Sequence, residues 1–204
     1  MSAVLNAFIR LRRRLSLLCN KLLTAAFGLD PWHAGTALDR LYPADIIAHL
    51  NKRTESERQS AVEIGCGLGD VISALNFKRK TGYDLDGTVL KAAAFKNIFS
   101  GHGRTCFLPL DFPKSFLDGK HDSIILVNWI HHLPPDILKS CVTKLYERHL
   151  NQDGEIILDT VSDPAYEYNH QIQAITEGLG CSVFQIGAYP RGRSIYALRK
   201  TAPQ

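Results

Sequence analysis

The sequence predicts an α/β fold: a Rossmann-like, mainly parallel sheet of seven strands with helices on both faces and a helical extension at the N-terminus. From about residue 60 onward, short apolar runs alternate with segments of helical apolar periodicity, as in parallel sheets. A glycine-rich turn follows the first run. The last two runs are joined by residues 187–192, too short for a helical crossover, which predicts one antiparallel hairpin strand.

The same alternation sets the expected bounds of the elements. The predicted helices of this region span residues 68–76, 87–98, 135–149 and 168–179, and the strands after the first span residues 79–84, 104–108, 122–128, 154–160, 181–187 and 193–199. A sheet of this kind binds ligands at the carboxyl ends of its strands.

The glycine-rich turn lies in the segment Ala61 to Asp70, where an apolar run gives way to three alternate glycines, Gly65, Gly67 and Gly69. This pattern predicts a strand, a tight turn and a helix. Backbone N–H groups and a helix N-terminus then face a ligand, and the absent side chains leave room for it to touch the main chain.

Two carboxylates indicate which ligand this turn binds. The dinucleotide fingerprint would place a small residue where Asp70 stands, and Asp70 and Glu63 would repel the pyrophosphate that this fingerprint binds. A ligand with an ammonium and a sulfonium group, and no phosphate, would be attracted instead. S-adenosylmethionine (SAM) is such a ligand.

Two further acids follow at the expected strand ends. Asp84 ends the second predicted strand, about 20 residues after the first glycine, where nucleotide-binding folds hydrogen-bond a ribose diol. Asp111 ends the third and can accept a hydrogen bond from an adenine amino group, while Phe112 or Leu85 covers the ring.

These residues carry a resemblance: the segment from about residue 60 to 200 is similar to class I SAM-dependent methyltransferases. The family's glycine motif corresponds to residues 63–69, its ribose acid to Asp84, its adenine-side acid to Asp111 and its fourth-strand segment to residues 122–134. The resemblance implies a methyltransferase with SAM as cofactor. The implied cofactor-binding residues are Glu63, Gly65, Cys66, Gly67, Gly69, Asp84, Leu85, Asp111, Phe112 and Asn128. A Rossmann-like domain for another nucleotide, or for none, is the alternative.

Methyl transfer needs an aligned acceptor and, for a hydroxyl, a group that removes its proton. Asn128, His131 and His132 follow the fourth predicted strand, next to the expected methyl group, so His131 or His132 is the candidate base. The alternative is that these histidines only form hydrogen bonds within the turn before Pro134. Asp159 alone is available near the ends of the fourth and fifth strands, so we expect no metal.

The chain divides into an N-terminal amphipathic helix with a helical cap, residues 1–53, and a methyltransferase domain, residues 54–204. The cap contains a break at residues 27–35 and a helix at 41–52. In the family that the chain resembles, this segment lies over the cofactor. Trp32, His33 and Tyr42 are therefore substrate-side candidates, although packing is the ordinary role of each residue type.

The first 27 residues predict a basic amphipathic helix. It could pack its apolar face on the domain or on a second copy in a homodimer, or residues 4–23 could contact an anionic membrane as a peripheral anchor. A cleaved signal peptide is disfavoured because Asn20 and Lys21 interrupt the apolar run. The apolar face comprises Val4, Phe8, Leu11, Leu15, Leu18 and Leu22, and Arg10, Arg13, Arg14 and Lys21 lie off it.

Composition limits the remaining possibilities. The 204 residues are 45% apolar, enough for one sizeable core, and no stretch approaches the length of a membrane span. A net charge of +4 without a long basic tract after residue 20 argues against a nucleic-acid partner. Five scattered cysteines without metal-binding spacing favour a reduced, cytoplasmic setting, free or at the inner face of a membrane.

We therefore expect O-methylation of a small molecule, or of a saccharide or glycolipid intermediate. The residues after the fourth strand lack the Pro-Pro-aromatic motif of enzymes that methylate adenine or glutamine nitrogens, which disfavours methylation of a base. Two alternatives are a catalytically silent binding or scaffold protein and a protein N-methyltransferase.

Overall fold

The computed structural model describes residues 3–35, 40–99, 101 and 103–200, and for residues 3–13 and Trp32 it describes the backbone alone. Its centre is a seven-stranded sheet. In chain order the strands are β1 (Ser60–Ile64), β2 (Arg79–Asp84), β3 (Cys106–Pro109), β4 (His121–Leu126), β5 (Leu150–Thr160), β6 (Cys181–Tyr189) and β7 (Arg193–Lys200).

The strand order is β3-β2-β1-β4-β5-β7-β6, and β7 pairs antiparallel with both β5 and β6 while β1 to β5 pair in parallel. This arrangement confirms the predicted fold class. Because β1 and β4 are adjacent at the centre, their carboxyl ends meet on one edge of the sheet, where open α/β sheets bind ligands.

Helices cover both faces of the sheet. They are α1 (Ala3–Phe27), α2 (Leu41–Asn51), α3 (Asp70–Ala74), α4 (Gly87–Ile98), α5 (Pro135–Lys144) and α6 (Ile172–Thr176). Short 3-10 turns occupy Pro31–Ala34 and Ile130–His132, and a π-helical turn, Leu145–His149, joins α5 to β5.

Alternate residues of the central strands build an apolar core on each face. Val62 and Ile124 belong to the cluster that packs against α5 and α6. Ala61 and Ile125 belong to the cluster that includes Ile46 of α2 and residues of α3. Because the central strands are buried on both faces, their carboxyl ends are held in place, and the site lies at these ends.

The predicted bounds hold closely from β1 to α5 and shift after it. Strand β5 begins at Leu150 rather than at residue 154, because the helical segment runs directly into it. The helix predicted at 168–179 is reduced to α6. The reason is tertiary: the Tyr168 N–H donates to the His131 carbonyl, and His170 Nε2 lies 3.1 Å from the Ile130 carbonyl, so these residues are held outside a helix.

Helix α1 packs on the domain, but not through the apolar face that the sequence predicts. Asn20 and Leu23 are buried, whereas Leu15, Leu18 and Leu22 are exposed. The idea that this face packs on the domain is therefore wrong for these three leucines. The side chains of Val4, Phe8 and Leu11 lie outside the described residues.

None of the helices in the described part of the chain combines the length and apolar character needed to cross a bilayer. The division of the chain between residues 53 and 54 stays a prediction.

Candidate active site

The glycine turn closes the carboxyl ends of β1 and β2. The backbone N–H groups of Gly65 and Cys66 both donate to the Tyr83 carbonyl, at 2.8 and 2.9 Å. Gly65 has φ +74°, and a Cβ built there would lie 2.4 Å from Cδ1 of Trp129. Only glycine satisfies both the backbone conformation and this close approach.

Gly69 has a packing role in the structure, and its predicted contact with the cofactor stays a prediction. It is the N-cap of α3, and a Cβ there would lie 2.6 Å from the Phe107 ring. It therefore permits packing of the helix against β3. Among the described residues, Gly65 and Gly67 line the cavities beside the turn, and Gly69 does not.

Asp84 stands at the end of β2, as predicted, and its carboxylate is already oriented. Oδ2 accepts the backbone N–H of Gly67 at 2.9 Å, and Oδ1 accepts that of Asp86 at 3.2 Å. These bonds tie the carboxylate to the glycine turn, and Asp84 lines the larger of two cavities at this edge of the sheet.

The larger cavity has a volume of about 480 Å³, within the range of small-molecule sites. Asp84 is its acidic residue, and its remaining walls are mostly apolar. Its lining includes Asp84, Leu85, Phe112, Asn128, Trp129 and His132.

Trp129 forms a wall that the sequence analysis missed. Its Nε1 donates to the Ile64 carbonyl at 2.6 Å, and its ring contacts Phe112 edge-on with centroids 5.7 Å apart. The available signal was a tryptophan directly after a strand that runs beside a glycine turn. Its indole holds the wall of the cavity against Gly65.

A smaller cavity of about 120 Å³ lies beside the same turn. Gly65, Val127 and Asn128 line both cavities, so the two meet at these residues. The N-terminal segment lines the smaller one through His33, Arg40 and Tyr42, together with Glu63, Cys66 and Asp70. His33 and Tyr42 thus line a cavity beside the glycine turn, and their substrate-side role stays a prediction; the side chain of Trp32 lies outside the described residues.

Glu63 is buried and lines the smaller cavity, and its Oε2 accepts the backbone N–H of Ile72 at 3.0 Å. Burial, with the nearby charges of Asp70 and Asp84, raises the pKa of Glu63 to about 8. A cation bound beside this carboxyl group would favour its charged form.

Asp70 opens α3 and forms an ion pair with Lys96 of α4. Its Oδ2 also lies 3.5 Å from Nδ2 of Asn20 on α1. Lys96 offsets the charge of Asp70, so Glu63 is the stronger candidate for contact with a ligand ammonium.

A family model described as "Methyltransferase domain" matches residues 62–158, which include β1, the glycine turn, Asp84 and Asn128. This segment is similar to a methyltransferase domain. The match and the shared fold confirm the predicted resemblance to SAM-dependent methyltransferases and support SAM as the cofactor.

Solved structures share this fold at low sequence identity. Magnesium protoporphyrin IX methyltransferase from Synechocystis PCC 6803, with bound SAM, has a TM-score of 0.62 and 18% identity over 78% of each chain. A SAM-dependent methyltransferase from Clostridium acetobutylicum has a TM-score of 0.63 and 15% identity over 79% of this chain and 91% of its own. For an O-methyltransferase family protein from Burkholderia thailandensis, the TM-score is 0.60 and the identity 13%, over 80% and 57% of the two chains. No curated protein matches the sequence.

The two candidate histidines of the methyltransferase domain have different surroundings. His131 is fully buried, its ring packs edge-on against Tyr166, and it lines neither cavity. Burial, and then the charge of Arg193, lowers the pKa of His131 to about 4. His131 therefore cannot contact an acceptor in this structure, which removes the geometric basis of its predicted role as base.

His132 is exposed and lines the larger cavity beside Trp129. Its Nδ1 lies 3.8 Å from a carboxylate oxygen of Glu167. Of the two histidines, His132 is the one placed to reach a bound molecule.

Asp111 does not line either cavity, although its neighbours Leu110 and Phe112 line the larger one. Its backbone carbonyl accepts the N–H of Ser115 at 2.8 Å, which starts a turn, and its carboxylate pairs with Lys114 at 3.1 Å. The structure thus gives no support to the predicted adenine contact of the Asp111 carboxylate.

No group of three or more His, Cys, Asp or Glu side chains within the described ranges is arranged to hold a metal ion.

Proposed function

We propose that this chain transfers the methyl group of SAM to a hydroxyl group of a small molecule, or of a saccharide or glycolipid intermediate. One observation carries the proposal: two cavities of different character meet at Asn128, with the oriented carboxylate of Asp84 in one and the buried carboxyl group of Glu63 in the other. The two halves of SAM, adenosine and methionine, match the chemistry of the two cavities.

The larger cavity suits the adenosine half. Asp84 presents a pre-oriented carboxylate that can accept hydrogen bonds from a ribose diol. Leu85, Phe112 and Trp129 supply apolar and aromatic surface for an adenine ring.

The smaller cavity suits the methionyl half. Glu63 offers its carboxyl group to an ammonium, and the ammonium would stabilise the charged form that burial disfavours. The sulfonium group then lies between the halves, near Asn128, where both cavities open.

A hydroxyl acceptor requires a group that takes its proton. His132 lines the larger cavity next to Trp129, and a neutral imidazole accepts a proton readily. His33 lines the smaller cavity, where burial lowers its pKa and so favours the neutral ring. The Burkholderia protein named for an O-methyltransferase family shares this fold, which is compatible with such an acceptor.

Calorimetry with SAM, followed by transfer of a labelled methyl group to a panel of hydroxylated small molecules and glycolipids, tests the proposal. We expect SAM binding and a labelled methyl ether, with much less product from an Asp84→Ala control when SAM is limiting.

Binding without transfer to any acceptor would contradict the proposal and favour the binding or scaffold protein. Label on protein nitrogen would favour the protein N-methyltransferase.

A further inference from the structure

Helix α1 has two apolar sides, and the domain covers only one. Asn20 and Leu23 are buried, and the Phe27 ring lies 6.4 Å from the Phe95 ring of α4. In addition, Asn20 Nδ2 donates to the Gly35 carbonyl at 2.7 Å. These contacts fix the rotation of the helix about its axis.

That rotation leaves a stripe of leucines in solvent. Leu15, Leu18 and Leu22 are 57%, 54% and 61% exposed. They lie three and four residues apart, so they share one side of the helix. Burying this stripe in an apolar environment would be favourable, and no described residue covers it.

A second exposed apolar group lies at the C-terminal end of α4 and in the residue that follows it; α4 is the helix that contacts the end of α1. Phe95, Ile98 and Phe99 are 50%, 73% and 74% exposed, and the Phe95 and Phe99 rings are 5.4 Å apart. Contiguous exposed apolar surface of this kind is typical of interaction sites.

Charge indicates what covers the stripe. The first 29 residues contain Arg10, Arg12, Arg13, Arg14 and Lys21 and no acidic residue. The other 19 Lys and Arg residues are balanced by all 20 Asp and Glu residues. The exposed Arg14 and Lys21 each stand one residue before a leucine of the stripe, so they flank it.

We propose that α1 docks on an anionic lipid surface through Leu15, Leu18 and Leu22, with Arg14 and Lys21 contacting the headgroups. A symmetric dimer through the stripe would bring two basic helices together without an acidic partner. An anionic bilayer offers both an apolar layer and the opposite charge. This docking does not depend on the acceptor of the methyl group.

The test is flotation of the full chain with vesicles of phosphatidylcholine alone or mixed with phosphatidylglycerol. We expect binding to the mixed vesicles, weak binding to phosphatidylcholine alone, and a steep loss as salt is raised. Because each basic residue contributes about fivefold in partitioning, Arg14→Gln with Lys21→Gln lowers binding about 25-fold.

A second variant removes the stripe: Leu15→Gln, Leu18→Gln and Leu22→Gln together reduce binding at least about tenfold. The matched control replaces three exposed apolar residues elsewhere, Leu41, Ile137 and Val183, with Gln and keeps full binding. Melting temperatures verify that each variant is folded. If the stripe variant does not fold, the charge variant alone tests whether α1 binds the vesicles.

Equal flotation of parent and charge variant, or no flotation of the parent, overturns the proposal. A concentration-dependent dimer in sedimentation velocity that the stripe variant abolishes, without vesicle binding, would assign the stripe to a second copy.

Discussion

Asp159, at the end of β5, accepts the backbone N–H of Asn128 at 2.9 Å, and Asn128 is one of the residues at which the two cavities meet. Asn128 has φ +78°, a conformation that costs a non-glycine residue energy and persists where the surroundings hold it. Asp159 also forms an ion pair with Arg193 of β7. This buried pair therefore positions the loop after β4.

Replacing Asp159 tests this support. Asp159→Ala leaves Arg193 buried without its counter-charge, so we expect a loss of about 3–5 kcal/mol in the free energy of unfolding, measured with urea. The control is the ion pair between Asp163 and Arg191, in which the Arg191 side chain is exposed, and Asp163→Asn has little effect. Equal stability of Asp159→Ala and the parent would show that the pair does not hold this loop.

Gly65→Ala tests the contact between the glycine turn and Trp129. The added Cβ would lie 2.4 Å from the indole. We therefore expect overpacking to lower the free energy of unfolding by about 1–3 kcal/mol, in addition to the cost of backbone strain, and SAM binding to weaken. Gly178→Ala is the control, because φ there is +84° and no atom lies within 4 Å of the added Cβ. Equal losses of stability in the two variants would mean that the indole moves aside at no cost.

Asp84→Ala should weaken SAM binding. Charge-assisted hydrogen bonds contribute about 1.5–3 kcal/mol, which corresponds to a loss of roughly 10- to 100-fold in affinity by calorimetry. Asp111→Ala serves as the comparison and should cost less, since Asp111 pairs with Lys114 outside the cavities. Unchanged affinity in Asp84→Ala would refute the ribose assignment.

The histidines can be separated by kinetics. If His132 is the base, His132→Gln lowers kcat by about 10²–10⁴ while SAM affinity stays the same. His131→Gln should mainly lower the melting temperature, because His131 is buried against Tyr166. Full activity of His132→Gln would mean that His132 is not the base. Turnover would then depend on His33 as the base, or only on alignment of the acceptor with the methyl group.

Glu63 makes stability depend on pH. Its pKa rises from an ordinary 4.5 to about 8 in the folded chain, so between these values the folded state binds more protons than the unfolded state. The free energy of unfolding should therefore fall as pH rises through this window. Glu63→Gln should lack this component, and parallel urea titrations of the two proteins at several pH values measure the difference. Identical pH profiles would contradict the raised pKa.

The sequence by itself determined the sheet, the glycine turn and the position of Asp84. These follow from local pattern and chain order, since consecutive parallel strands place their carboxyl ends at one edge. The bounds of β2 and α4 coincide with the predicted ranges for the same reason, because apolar periodicity is a local signal.

Only the tertiary structure decided which neighbouring side chains face the site. His131 and His132 are adjacent in sequence, but His131 is buried by Tyr166 and Arg193, which come from distant parts of the chain. Likewise, α1 carries apolar residues on two sides, and its contacts with Gly35 and Phe95 selected the side that packs. Helical and turn periodicity places side chains around an axis, whereas the rotation about that axis depends on partners remote in sequence.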